Sequence, residues 1–152
     1  MGDHSEIGLK GWTIEGQWKN DCITIGIYKF SGGMKTGQQR GFIHNGRADL
    51  KYKDNSRNLK YIGHWLNGVK NGNGILLLKS GDIYDGEWKR VAHGKIKHVK
   101  PDGTGDFSEY ADGHIVKKIR DLTTDEVAEI RQKAKDHEKE FDDVREYLKR
   151  KS

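Results

Sequence analysis

Several residue types and segments are scarce in this sequence, and each shortage excludes a class of protein. Cys22 is the only cysteine among 152 residues, which excludes an internal disulfide and a cysteine-based zinc site. No apolar run approaches the ~20 residues that a membrane-spanning helix needs. The opening segment MGDHSEIGLK lacks the apolar stretch of a secretion signal. We therefore expect an intracellular protein of a reducing compartment, with the cytoplasm or cytoskeleton as its location.

Apolar side chains are also scarce, since hydrophobic residues make up 33% of the chain and charged residues 34%. A compact domain of this length usually has a larger supply of core residues. Proline occurs once, whereas glycine occurs 20 times. Glycine without proline argues against a disordered linker or a collagen-like chain and indicates many tight turns. The composition therefore favours a thin, elongated architecture.

Patterns that carry catalysis or bind metal are missing as well. The seven histidines are scattered, and His93 and His98 lack zinc-site spacing with each other or with Cys22. Residues 102–107, DGTGDF, depart from a calcium-binding loop in the positions of Gly and of the final Glu. No glycine-rich loop is followed by a helix, which excludes a P-loop. We therefore expect no enzymatic activity, no cofactor and no metal.

Turn signals, in contrast, are abundant. Residues 67–74, NGVKNGNG, contain three Asn-Gly pairs, and both residue types tolerate a positive φ. The apolar segment ILLL follows directly. We interpret residues 66–73 as a turn that reverses a β-strand and residues 74–78 as the returning strand, with Ser80 and Gly81 turning the chain into the next unit.

An aromatic pattern recurs in step with these turns. The positions Tyr61, Gly63 and Trp65 recur after 23 residues as Tyr84, Gly86 and Trp88. One period before Trp65 lies Phe42, and 24 residues before Phe42 lies Trp18. One period after Tyr84 lies Phe107. The period predicts about five β-hairpins, the last of them degenerate. The expected strand pairs cover residues 12–30, 38–54, 60–79 and 83–100, with a fifth pair after residue 105.

The repeated aromatic and glycine positions carry two alternative interpretations. Rings at fixed repeat positions most often pack on their neighbours along a sheet, and some of them can also line an exposed groove that holds a partner. Glycine between two rings on one strand face leaves room for a neighbour to approach. The aromatic positions are Trp18, Phe42, Tyr61, Trp65, Tyr84, Trp88 and Phe107. The turn glycines are Gly63, Gly68, Gly72, Gly74, Gly81 and Gly86.

The pattern Tyr-x-Gly-x-Trp-x-x-Gly-x-x-x-Gly-x-Gly, which runs from Tyr61 to Gly74, resembles the MORN repeat. The resemblance is close over residues 61–90, looser over 12–60 and weakest over 91–122. It implies a mainly β fold, an elongated single-layer antiparallel sheet of successive hairpins, without catalytic residues. It also implies a role in protein assembly, because MORN proteins commonly serve in cytoskeletal and axonemal complexes of the cilium.

The composition changes sharply after residue 122. Residues 123–152 contain neither glycine nor proline and are rich in helix-forming Glu, Lys, Arg and Ala. Thr123 and Glu126 form a capping-box pattern, and apolar residues follow at spacings of three and four, with His137 filling one gap. This apolar seam comprises Val127, Ile130, Ala134, Phe141, Val144 and Leu148. We therefore divide the chain into a β-sheet region, 1–122, and an amphipathic C-terminal helix, 123–152.

The apolar seam predicts that this side of the helix is buried, and two surfaces could bury it. A helix of about 26 residues reaches ~39 Å, and about ten strands make a sheet ~45 Å long, so the helix can lie along its own sheet. Alternatively, the seam pairs with a partner chain.

Two functional hypotheses follow. The first is a non-enzymatic scaffold or structural subunit that binds other proteins in a larger complex, because a thin repeat sheet exposes long edges and two faces. The second is a module that binds phosphoinositides at a membrane surface, which the net charge of +5 permits. Its contact would be the basic parts of the repeat region, namely residues 51–61 (KYKDNSRNLKY), residues 95–98 with Lys95, Lys97 and His98, and Lys117 with Lys118. We expect no nucleic acid as partner, because the fold itself already accounts for the periodic aromatic residues.

Overall fold

The computed structural model describes residues 3–9, 12–19, 22–30, 33–40 and 43–150. Within these residues, eleven strands form one antiparallel sheet in which each strand pairs with its neighbours in the sequence. The first six strands are β1 (Asp3–Leu9), β2 (Trp12–Lys19), β3 (Cys22–Phe30), β4 (Gly33–Arg40), β5 (Ile43–Tyr52) and β6 (Asn58–Leu66). The remaining elements are β7 (Val69–Leu78), β8 (Ile83–Lys89), β9 (Val91–Val99), β10 (Gly105–Ala111), β11 (His114–Asp121) and helix α1 (Thr124–Arg150).

This architecture confirms the predicted sheet of successive hairpins followed by one helix. The five predicted strand pairs correspond to β2–β3, β4–β5, β6–β7, β8–β9 and β10–β11. Strand β1, which pairs with β2, lies outside the predicted pairs. Its sequence DHSEIGL has neither the β-branched and aromatic content nor the alternation that indicates a strand.

The Asn-Gly cluster reverses the chain at a single point, so the predicted eight-residue turn is wrong. Asn67 and Gly68 alone connect β6 to β7, with φ angles of 51° and 81°. Two successive positive φ angles define the tight hairpin turn whose twist matches that of the flanking strands. The other two pairs lie within β7, where Gly72 has a φ of 92° beside an irregularity in the pairing with β6.

Side chains of each strand alternate between the two sides of the sheet, so the sides differ in composition. In β7, Ile75 and Leu77 lie on the side that α1 covers. They belong to a buried aliphatic cluster made of Ile75, Leu77, Ile83, Val99, Val127, Ile130 and Ala134. We call this side the helix-side face.

The other side carries a second buried cluster in which aromatic rings predominate. Leu76 lies between Ile75 and Leu77 in β7 and therefore packs against this second cluster. Its members are Ala48, Leu50, Tyr61, Trp65, Trp88, Ala92 and Ile96. Half-buried Phe30, Tyr52, Leu76, Tyr84 and Tyr110 surround them. We call this side the aromatic face; α1, the one helix in the described ranges, lies against the opposite side.

Helix α1 begins with the reciprocal bonds of a capping box. The backbone N–H of Glu126 donates to Thr123 Oγ1 at 3.1 Å, and the backbone N–H of Thr123 donates to Glu126 Oε1 at 3.0 Å. Arg120 at the end of β11 adds two bonds to the same carboxylate, at 2.7 and 2.8 Å. These bonds hold the pKa of Glu126 well below its usual range, chiefly through Arg120. The start of the helix is therefore fixed to the last strand.

Strand β11 differs from the other strands in its irregular pairing and its exposure. Its register with β10 shifts twice, and Val116 and Ile119 fall outside the pairing. Every residue of this strand is exposed to solvent. The strand also carries His114, Lys117, Lys118 and Arg120. It therefore forms a bulged, basic edge of the sheet.

Candidate functional site

The centre of the aromatic face is a group of three rings held in fixed orientation. Tyr61 is fully buried and contacts Trp65 and Trp88 edge-on, with centroid distances of 5.4 and 5.5 Å and interplanar angles of 88° and 82°. Both indole N–H groups donate to backbone carbonyls, Trp65 to Ala48 at 3.0 Å and Trp88 to Gly74 at 2.9 Å. Edge-to-face packing and satisfied N–H groups make this an ordered aromatic core.

Glycines in the neighbouring strands make room for these rings. A Cβ atom added at Gly74 would overlap the ring and the hydroxyl group of Tyr61. One added at Gly63 would lie 2.5 Å from Gly74 Cα, because the two glycines pair directly across β6 and β7. Gly86 is likewise close to the backbone of β9. These three glycines therefore permit close approach within the sheet, and do not form turns.

Two adjacent hollows open on the aromatic face beside this core. The first, about 370 Å³, includes Phe30, Leu50, Tyr52 and Trp65 in its wall. The second, about 360 Å³, includes Leu76, Tyr84, Trp88 and Tyr110. Lys70 and Arg90 line both hollows. The aromatic face thus offers two adjoining hollows that combine rings and aliphatic side chains with basic residues shared between them.

Two lysine ammonium groups lie over the rings of this surface. Lys35 Nζ is 4.6 Å from the ring centre of Trp65 and 5.6 Å from that of Phe30. Lys70 Nζ lies 5.2 to 5.8 Å from the ring centres of Tyr52, Tyr61 and Trp88. Burial lowers the pKa of Lys35, and burial together with the Lys35 charge lowers the pKa of Lys70 to about 8. The ring faces offset part of this cost by attracting the cations.

Strand β5 contributes a histidine, His44, that is buried in the sheet and lacks a complete set of hydrogen bonds. Its Nε2 atom has no hydrogen-bond partner among the described residues, although the side chain is only 2% exposed. Burial lowers the pKa of His44 to about 4, opposed by a hydrogen bond to the Gly26 backbone and assisted by the Lys35 charge. His44 is therefore neutral at physiological pH, a condition that the sequence did not indicate.

The structure brings four of the predicted aromatic residues together on one face. Tyr61, Trp65 and Trp88 are buried there, and Tyr84 stacks on His98 with a centroid distance of 4.2 Å. Phe42 and the side chain of Trp18 lie outside the described residues. The described rings pack in the buried cluster or border the two hollows, and the hypothesis that some of them hold a partner stays a prediction.

The structure corrects the predicted position of Phe107, which does not lie with the other repeat aromatic residues. It pairs with Lys97 of β9 and lies on the helix-side face, where Lys97 and Arg120 approach its ring at 6.0 and 5.3 Å. Tyr110, 22 residues after Trp88, occupies the expected ring position on the aromatic face. The period is one residue shorter in the last unit, and a shift of one residue moves a strand side chain to the other face.

The apolar seam of α1 faces the sheet. Five of its six residues are buried and Val144 is half-buried. The N-terminal part, Val127, Ile130 and Ala134, packs in the aliphatic cluster of the helix-side face. The guanidinium group of Arg47 in β5 lies 5.5 Å from the ring centre of Phe141. The sequence left two surfaces for the helix, its own sheet or a partner chain. In the structure, α1 docks on its own sheet.

A buried ion pair fixes the C-terminal part of α1, and sequence reasoning missed it. Arg145 donates to both carboxylate oxygens of Asp49 at 2.8 Å and to Thr36 Oγ1 at 3.1 Å. Asp49 is fully buried and Arg145 is 7% exposed. Burial raises the pKa of the Asp49 carboxyl, and the Arg145 charge opposes that rise. Arg145 directly follows Val144 of the seam. Because Arg145 is charged, the apolar pattern did not identify it as a residue that faces the sheet.

Besides the Arg120–Glu126 pair at the start of the helix, four further ion pairs join α1 to the helix-side face. Their partners are Arg47 with Glu140 at 2.6 Å, Lys60 with Glu138 at 2.9 Å, Lys133 with Asp85 at 3.1 Å, and Lys97 with Glu126 at 3.3 Å. His137, which fills the gap in the seam, contacts Arg47 and Glu140. The cations in these contacts between sheet and helix are therefore matched by carboxylates of the same chain.

Neither a metal centre nor a membrane-spanning helix is evident in the described part of the chain. No group of three or more His, Cys, Asp or Glu side chains there is arranged to hold a metal ion. Helix α1 is too polar to cross a membrane.

The architecture defines a class of protein, an open sheet of repeated hairpins with one covered and one uncovered face. Within it, residues 61–83, which extend from β6 to the start of β8, match the family model of the MORN repeat. The chain therefore contains a MORN repeat, and its successive hairpins and following helix fit a MORN-repeat protein. No curated protein matches the chain. MORN repeats are modules for interaction with proteins or membranes, and the proteins that carry them are typically not enzymes.

Proposed function

We propose that this protein is a non-enzymatic scaffold subunit that binds another protein on its aromatic face. The observation that supports this most directly is the unequal cover of the two faces. Helix α1 packs on the aliphatic cluster of one face, whereas half-buried rings and two hollows lie open on the other. Clustered Tyr, Trp and basic side chains in concave pockets are typical of surfaces that contribute most binding energy to protein interfaces.

The larger context is proposed by analogy with other MORN proteins. They commonly act in the assembly of cytoskeletal and ciliary complexes, and a sheet of this type offers an extended surface to such partners. We accordingly propose an assembly role in the cytoplasm or at the cytoskeleton. Both the location and the complex rest on the resemblance alone.

The lipid hypothesis receives less support from the geometry. Lys97 forms an ion pair with Glu126, and Lys117 stands opposite Glu109 in the pairing of β10 with β11. Lys118 forms an ion pair with Asp121. A surface that binds anionic headgroups gains from clustered cations without interleaved acids. The lysines proposed for lipid contact are instead mixed with carboxylates.

Affinity capture tests the proposal. The wild-type protein and the variant Tyr52→Ala/Tyr110→Ala would be used to capture proteins from extracts of its native cells, with mass spectrometry as the readout. We expect a reproducible set of proteins bound by the wild type and lost by the variant, because both rings border the open hollows. Glu129→Ala, an exposed change on α1, is the matched control and should retain the set. Identical sets for all three proteins would contradict binding on the aromatic face.

A further inference from the structure

We propose that the aromatic face contains an anion subsite, formed by Lys35, Lys70 and Arg90, that receives a carboxylate side chain of an acidic polypeptide. This inference rests on the proposed function, because it specifies the chemistry of the protein partner. It does not follow from the MORN pattern, in which none of the three cations is a defining position.

The first argument is the contrast in charge pairing between the two faces. On the helix-side face, Arg145, Lys60 and Lys133 each have a carboxylate of the same chain within 3.1 Å. On the aromatic face, neither Lys35, Lys70 nor Arg90 has a carboxylate within ion-pair distance among the described residues. The side chains that line the two hollows also include no Asp or Glu. The cations of this face thus lack the counter-charge that the other face supplies internally.

The second argument is the placement of these cations. Lys35 and Lys70 both line the first hollow together with Arg90, so three basic residues border one cavity of about 370 Å³. The backbone N–H of Arg90 donates to the Lys70 carbonyl at 2.8 Å, and Arg90 has a φ of 68° in the single-residue connection between β8 and β9. This bond fixes the turn that carries Arg90 beside Lys70.

Desolvation makes an incoming anion favourable at this place. Lys35 and Lys70 are held against ring faces, and burial lowers the pKa of both ammonium groups. A cation that is removed from water without a partner gains more from a nearby carboxylate than an exposed one does. Among the residues that the structure describes, Lys35 makes one hydrogen bond, to the Gly68 carbonyl at 3.4 Å, and this bond leaves the positive charge uncompensated.

The rings around the subsite favour a polypeptide over an isolated phosphate or a lipid headgroup. Phe30 and Tyr52 border the first hollow, and Leu76, Tyr84 and Tyr110 border the second. An extended acidic segment can place a carboxylate at the cations and apolar side chains on these rings. A phosphorylated headgroup supplies only the anion and leaves the apolar surface in contact with water. Charge and apolar complementarity together therefore select an acidic segment with interspersed apolar residues.

The experiment uses two blocked, serine-rich, fluorescent peptides with the same phenylalanine positions, one carrying glutamates and the other glutamines. Dissociation constants would be measured by anisotropy at physiological salt for the wild type, Lys35→Met, Lys70→Met and Lys95→Met. Lys95 is an exposed lysine of β9 outside the hollows and serves as the matched control. Inorganic phosphate and phosphoinositide-containing vesicles are the competing probes.

We expect the glutamate peptide to bind the wild type about tenfold tighter than the glutamine peptide, as expected for charge-assisted contacts. Lys35→Met and Lys70→Met should remove most of that preference, and Lys95→Met should keep it. Saturation with the glutamate peptide should also raise the pKa of Lys70, observed through its ε-methylene NMR signals.

Equal binding of both peptides would overturn the anion subsite and leave the scaffold proposal intact. Selective binding of phosphate or vesicles, lost in Lys70→Met, would overturn the acidic-polypeptide assignment in favour of a phosphate ligand. Failure of every probe, together with failure of affinity capture, would overturn both proposals.

Discussion

The two faces of this sheet are built from the same strands but bury their side chains by different means. On the helix-side face, Ile75, Leu77 and Ile83 are aliphatic and require α1 to exclude water. On the aromatic face, Tyr61 is fully buried by the rings of Trp65 and Trp88 without a covering helix. Large rings that lie across a single-layer sheet can therefore shield one another, whereas short branched side chains need a second layer.

The faces also differ in how their charges are balanced. Six ion pairs, the Arg145–Asp49 pair included, connect the sheet to α1 within the chain. The aromatic face places Lys35, Lys70 and Arg90 beside its hollows, and no carboxylate lines them. The helix-side face thus pairs most of its contacts to α1 with charges of the same chain, and the aromatic face is suited to a partner that brings negative charge.

The helix-side face is most vulnerable at its buried ion pair. Arg145→Met leaves the fully buried Asp49 without its main counter-charge and should lower the free energy of unfolding by about 3–5 kcal/mol. Chemical denaturation of the isolated chain measures this loss. The double variant Asp49→Leu/Arg145→Met removes both charges and should recover most of it. A single variant as stable as the wild type would show that the pair contributes nothing to helix docking.

The apolar seam can be tested at its largest buried ring. Phe141 is 3% exposed, so Phe141→Ala should cost about 3 kcal/mol or more through lost burial and a cavity. Because α1 lies on its own sheet, the melting temperature of the isolated chain should fall. Glu129→Ala, on an exposed position of the same helix, should stay within about 0.5 kcal/mol of the wild type. An unchanged melting temperature for Phe141→Ala would mean that the seam is not docked.

Acid should weaken the protein through His44, whose folded-state pKa is about 4 against an ordinary value of 6.5. Below pH 6.5 the unfolded chain binds a proton at this residue that the folded chain excludes. The free energy of unfolding should therefore fall as the pH drops from 6.5 to about 4, by about 3 kcal/mol at most. Urea titrations across this range, with His44→Gln as the comparison, isolate the effect. An equally steep loss in His44→Gln would assign it to other groups.

The smallest effect concerns packing on the aromatic face. Gly74→Ala places a methyl group against the Tyr61 ring and should destabilise the chain by about 1–3 kcal/mol, because the ring must move. Removal of the overlapping hydroxyl in Gly74→Ala/Tyr61→Phe should recover part of this loss. Thermal unfolding of the single and double variants gives the coupling between the two sites. Additive effects would show that the ring and the glycine do not share this space.

Features with short-range signals were predictable from the sequence. The hairpin order followed from the recurrence of Tyr61 and Trp65 as Tyr84 and Trp88, and the helix start followed from Thr123 and Glu126. The existence of a turn between β6 and β7 followed from the Asn-Gly cluster, although the sequence did not show that Asn67-Gly68 alone forms it. Local residue types and spacing determine all of these features.

Long-range pairings were not predictable. The Arg145–Asp49 contact joins residues 96 positions apart, and neither side chain belongs to a local pattern. Lys35 and Lys70 likewise meet only because hairpins place β4 and β7 beside one aromatic cluster. Phe107 shows that a change of one residue in the period makes a repeat-based assignment wrong, because the side chain then lies on the other face of the sheet. Contacts across the sheet depend on registers that residue spacing alone does not determine.

Strand β11 has a consequence for the physical state of the protein in concentrated solution. A regular edge strand is a template on which strands of other molecules can add and grow into filaments. Two pairing irregularities interrupt the backbone ladder here, and the neighbouring Lys117 and Lys118 would come close to their counterparts if two copies paired antiparallel. We expect this edge to act as a terminator of lateral growth, so that the exposed Ile115, Val116 and Ile119 do not nucleate fibrils. The same lysines contribute to the net positive charge of the chain, and this charge also favours colloidal stability.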